Sequence, residues 1–236
     1  MGSSADLVFW DEYDARVAEL YRARVPADGL PESAIIDAET RIGLSLPGRL
    51  REYYSRYGAS ELPLAPWQPC NLELMEILTD GVLLIGADEL LYDLPFAGVL
   101  PDDFGKDDPP VGVLLTSPDD STWMDALHEW SLGFSSLSGW LLTMLYWQAS
   151  LNLPFTGSAP IDETELPEIV RHWDPPERFG RLGHELLVFR KPGRLLCVEG
   201  RAPDLILRAG ARTKADFDSI VSGLTVDWDG GSARVS

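Results

Sequence analysis

The chain has 236 residues, 45% of them hydrophobic and 10% aromatic, and a formal net charge of −19. That is enough apolar side chain for a packed core, which excludes disorder over the whole length. The excess of carboxylates argues against direct binding of nucleic acid or of an anionic membrane surface, since both need a basic footprint. The longest apolar runs are far shorter than the roughly 18 residues that cross a bilayer.

Residues 1–6 lack the basic region and apolar core of a secretion signal, so a cytoplasmic location is expected. Trp10, Tyr13, Val17, Leu20 and Tyr21 then recur at steps of three and four, which predicts a first helix ending before Pro26. A second helix is expected over 31–42, with Ile35, Ala38 and Ile42 on one face and Gly43 as its stop. Pro47 suits the first turn of a third helix running to Tyr57, with Leu50, Tyr53, Tyr54 and Tyr57 inward and Gly58 at its end.

Beyond Gly58, the prolines at 63, 66 and 69 exclude helix, and Trp67 lies among them. Residues 72–86 read as strand, turn and strand around Thr79-Asp80-Gly81. A further apolar stretch over 90–100 leads into 102–110, a loop by composition. A strand follows over 111–116, a turn over 117–121 and a partner segment over 123–130. Residues 136–150 predict a largely buried helix, with Leu137, Trp140, Leu141, Met144, Leu145 and Gln148 in helical register.

Residues 151–167 are rich in Pro, Gly, Ser and Thr and mark the expected boundary. The organisation is therefore a domain over 1–150, a linker over 151–167 and a C-terminal α+β extension over 168–236. In that extension, 186–189 and 195–198 flank a basic tip at 190–194, a hairpin pattern. A strand at 205–207 and a short helix over 214–222 complete it. The chain carries no repeat of fixed period.

The charge is concentrated. Residues 57–170 hold nineteen carboxylates against the single cation Lys106, while the two flanks nearly cancel. A stretch this acidic that is also rich in Leu, Val and Trp is a folded segment with an acidic face, not a tail. Its expected binding residues are Asp102, Asp103, Asp107, Asp108, Asp119 and Asp120, with the aromatics Trp67, Phe104 and Trp123 in or beside the same turns. An aromatic ringed by carboxylates suits contact with a basic protein.

Chemistry is not expected at these positions. The adjacent aspartate pairs sit in turns, where solvated charge is the ordinary reading, and 102–108 lacks the alternating ligands and terminal Glu of a calcium loop. No G-x-S-x-G elbow occurs, and Gly180-Arg181-Leu182-Gly183 has no phosphate-loop Lys behind it. His128 reads as a packed side chain; with His172 and His184 it shows no metal-ligand spacing to Cys70 or Cys197, both expected as reduced thiols. No catalytic residue, metal or cofactor is expected.

The stretch from Asp37 to Gly58, with Glu39, Gly43, Leu46, Pro47, Leu50, Tyr53 and Tyr54, resembles the helix, Gly, Leu-Pro, helix motif of the SMI1/KNR4 (SUKH) superfamily. Tyr57-Gly58-Ala59 departs from the Asn-Gly-Gly common there. The resemblance covers about 30–150. It implies an α+β fold, with a mixed, mostly antiparallel sheet flanked by helices. Many bacterial members neutralise a toxin, so the expected partner is a cognate toxin with a basic surface. Other members are eukaryotic regulatory scaffolds, which leaves a cytoplasmic scaffold without a toxin as the alternative.

Overall fold

The computed structural model describes residues 4–21, 28–60, 68–69, 71–73, 75–87, 96–114, 130–181, 184–201 and 204–228. The fold is α+β, and the chain divides into two compact units, Pro26–Leu141 and Met1–Val25 with Leu142–Ser236.

The unit Pro26–Leu141 begins with α2 (Glu32–Ile42) and α3 (Gly48–Tyr57), which follow α1 (Ser4–Tyr21) of the other unit. Ile35 and Ala38 are buried on α2, and Leu50, Tyr53, Tyr54 and Tyr57 on α3. Gly43 closes α2 at φ 78° with its N–H on the Glu39 carbonyl at 2.8 Å, a left-handed conformation that a side chain would strain. The Glu39 carboxylate accepts the Leu46 N–H at 2.9 Å through Oε1 and pairs with Arg51 through Oε2. The corner between the two helices is therefore fixed by one buried-side carboxylate and one glycine.

Five strands follow in antiparallel order: β1 (Gln68–Pro69), β2 (Leu83–Ala87), β3 (Phe96–Val99), β4 (Val111–Leu114) and β5 (Ser131–Phe134). The strand expected in the first half of 72–86 is reduced to one bridge, Ile77 to Leu83. Around the turn at Asp80 and Gly81 (φ 85°) the Leu78 N–H meets the Val82 carbonyl and the Leu84 N–H the Glu76 carbonyl, each at 2.9 Å. Trp140, near the start of α4 (Leu137–Asn152), packs on one face of this sheet, where a Cβ on Gly86 would lie 2.7 Å from its ring. Gly98 and Gly112 are register partners on the opposite face and lie beneath the indole of Trp130.

The other unit contains α1 (Ser4–Tyr21) and begins again within α4, after Leu141. Trp10, Tyr13, Val17 and Leu20 are all buried, as the spacing requires. The second antiparallel sheet has the order β6 (Phe155–Ile161), β10 (Asp204–Ala211), β9 (Arg194–Arg201), β8 (His184–Lys191), β7 (Glu177–Arg181). One face buries Leu187, Phe189, Leu196, Val198 and Leu207 under α5 (Leu166–His172) and α6 (Lys214–Ser222). The other carries Cys197, Glu199 and Gly210 against the later turns of α4: Cys197 Sγ faces the Tyr146 carbonyl at 3.8 Å, and Trp147 Nε1 donates to Glu199.

Two expectations are corrected. The segment expected as a linker, 151–167, instead finishes α4 and supplies β6, which pairs with β10 over seven residues. Pro160 is accommodated because β6 is an edge strand, where a missing N–H need break no ladder bond. The division at 151–167 therefore does not hold, because α1 belongs with the C-terminal sheet. Composition marks polar chain; it does not show which sheet a strand joins.

Candidate functional site

The acidic turn after β3 is rigid by construction. Pro101–Asp103 forms a 3₁₀ turn in which the Asp103 N–H meets the Leu100 carbonyl at 2.9 Å. Lys106 then folds back to pair with Asp103, and Gly105 takes φ 84° to allow the reversal. The far end is tied to two helices. The Asp107 carbonyl accepts the Arg49 N–H of α3 at 2.9 Å, and Asp108 Oδ1 accepts the Ser138 N–H of α4 at 2.8 Å. Ser136 Oγ receives the neighbouring Gly139 N–H at 3.1 Å, so α4 starts with two of its donors satisfied.

This geometry sorts the expected binding residues. Asp108 is a helix cap and Asp103 belongs to an intramolecular ion pair, so both are committed to the fold. Asp102 and Asp107 are exposed carboxylates, and Phe104 is half-buried between them. Trp67, Asp119, Asp120, Trp123 and the histidine His128 lie outside the described residues, as does Cys70.

A second feature adjoins the turn. Trp130 Nε1 donates to Asp80 Oδ2 at 2.7 Å, while Asp80 Oδ1 accepts the Val82 N–H at 3.2 Å. A Cβ on Gly81 would lie 3.3 Å from Pro101, which brings the Asp80 turn beside Asp102 and Asp103. Sequence reasoning missed this pair because fifty positions separate its members. The glycines at 98 and 112 were its only signal.

In the other unit Arg190 bridges Glu177, with Nε to Oε1 at 2.8 Å, and Glu19 of α1 at 3.5 Å, and it lies 5.6 Å from the Tyr146 ring centroid. Arg190, Glu177 and Glu19 border an open pocket of about 210 Å³ that also includes Asp174 and Lys191. Its cations are engaged internally: Arg190 by the two glutamates, Lys191 by the His172 carbonyl at 2.7 Å and the Trp173 ring. Burial pushes the thiol of Cys197 up, so it stays protonated and weakly nucleophilic. Among the described residues no three His, Cys, Asp or Glu side chains converge as metal ligands, and no helix is long and apolar enough to cross a membrane.

Comparison of the chain with known protein families, with curated proteins and with solved structures finds no match.

Proposed function

We propose that this chain is an acidic binding protein that neutralises a cognate bacterial toxin in the cytoplasm by covering the toxin's basic active or substrate-binding surface. One observation carries the reading. The unit Pro26–Leu141 holds twenty carboxylates against five basic side chains, a net −15, whereas the other unit holds eighteen against fourteen, a net −4. The acidity belongs to one folded unit, and its 101–110 turn presents Asp102 and Asp107 from an anchored backbone. A pre-organised charged surface loses little conformational entropy on binding and raises the association rate for a basic partner roughly 10- to 1,000-fold. The resemblance of residues 37–58 to the SMI1/KNR4 superfamily supports the same reading.

The test is co-expression with the product of the adjacent open reading frame, scored by rescue from growth arrest. It is followed by association kinetics with that product at about 0.05 M and about 0.5 M salt. Rescue together with an on-rate falling at least tenfold with salt is expected. Absence of rescue, or an on-rate indifferent to salt, overturns the proposal.

A further inference from the structure

The sheet of the acidic unit has two unlike faces. One is packed by Trp140 of α4. On the other, Leu84, Gly98, Gly112 and Leu132 align across four strands by register, and Trp130 lies over the two glycines. Among the described residues of this unit, the side chains that meet Gly98 and Gly112 there come from Val82, Leu100 and Trp130, none of them helical. Leu132 is 65% exposed there, the largest exposure of any apolar side chain in the described part of this unit, and Trp130, Phe96 and Leu100 are only half-buried. An apolar surface of this kind marks an interaction site. Its edge is acidic: Asp80 holds the indole, and the Gly81–Pro101 contact sets Asp102 and Asp103 beside it.

We infer that this face, centred on Trp130 with Leu132 beside it, is where the basic partner docks, and that the occupant is an arginine-bearing protein segment. Arginine fits both halves of the surface. Its planar cation stacks on an indole while its methylenes cover leucine, and the exposed Asp102 carboxylate at the rim takes its N–H groups. Lysine lacks the planar stack. The inference rests on the reading of the protein as a binder of a basic partner, and adds the face and the side chain that are read.

The experiment uses the full chain labelled with nitrogen-15 and titrated at low salt with nona-arginine and with nona-lysine. The Trp130 indole N–H is assigned by its loss in Trp130→Phe, among the eight tryptophans. Expected is a saturable shift of the Trp130 indole and the Leu132 amide at one common affinity. Nona-arginine should bind about tenfold tighter than nona-lysine, and Leu132→Ser should weaken it about threefold without changing the melting temperature. If nona-arginine binds while these two signals stay still, the face is wrong although the acidic reading survives. Equal affinity for the two peptides overturns the arginine assignment. No binding of either peptide defeats the acidic-binder reading itself.

Discussion

Asp80 receives two donors that stand just before different strands of the fold: the Trp130 indole N–H on one carboxylate oxygen at 2.7 Å and the Val82 backbone N–H on the other at 3.2 Å. One side chain thus shapes the turn entering β2 and fixes an aromatic ring across β3 and β4. Hydrogen bonds to a charged acceptor contribute about 1.5–3 kcal/mol when buried. Asp80→Ala should lower unfolding free energy by about 2 kcal/mol, read from urea denaturation, and Asp80→Asn by less than half of that. Asn keeps one acceptor oxygen and turns an amide N–H2 toward the other donor, so equal losses would show that both carboxylate oxygens are needed to hold the ring.

Glu39 sits at the corner between α2 and α3, where one oxygen takes the Leu46 N–H and the other takes Arg51. Glu39→Gln keeps the first contact and should cost about 1 kcal/mol, whereas Glu39→Ala orphans a backbone donor and should cost about 2–3 kcal/mol. Thermal melting of the two variants checks the ratio. A Gln variant as damaged as the Ala variant would place the stability in the ion pair.

Two glycines should respond to alanine for different reasons. A Cβ on Gly43 meets nothing within 4 Å, so Gly43→Ala is penalised by its φ of 78° alone, about 1–2 kcal/mol, and Gly43→Asn should recover part of that. A Cβ on Gly86 would lie 2.7 Å from the Trp140 ring, so Gly86→Ala should cost about 1–3 kcal/mol through overpacking. Trp140→Phe should rescue the second variant and leave the first unchanged, as double-mutant denaturation would show.

Cys197 should be inert to a thiol reagent in the native protein and reactive once denaturant is added, because burial holds it protonated. The same cause gives a pH dependence. The folded-state value lies above the unfolded one of about 8.5, so the unfolded chain releases its proton first as pH rises. The stabilisation is complete below about pH 8.5 and declines above it, by at most about 1.4 kcal/mol per pH unit. Urea midpoints at about pH 7.5 and about pH 9.5 should differ in Cys197 protein and converge in Cys197→Ser.

The helices were legible because their apolar residues kept a strict period. Trp10, Tyr13, Val17 and Leu20 are buried as their spacing demands, and so are Leu50, Tyr53, Tyr54 and Tyr57. The hairpin from β8 to β9 was equally plain, its tip closing between Lys191 and Arg194 across Pro192 and Gly193. The first sheet was harder to read. Gly86, Gly98 and Gly112 interrupt its strands and erase the alternation of apolar and polar positions, since side chains that cover them come from Trp130 and Trp140 elsewhere in the chain. The acidic turn could be located from composition, but not what each carboxylate does there. Only the fold shows that Asp108 reaches the start of α4, thirty residues on, and is occupied.

The first helix of the chain lies against strands made from its last quarter, with Glu19 meeting Arg190 across 171 positions. During synthesis α1 emerges long before β7 and β8, which carry its partners Glu177 and Arg190, while the whole unit Pro26–Leu141 is made in between. The acidic unit can therefore complete its chain while the N-terminal helix still lacks these ion-pair partners. Contacts so distant in sequence close slowly. A nascent chain halted before residue 184 therefore carries the whole acidic unit while Glu19 of α1 still lacks Arg190, and such partly assembled chains are prone to aggregate.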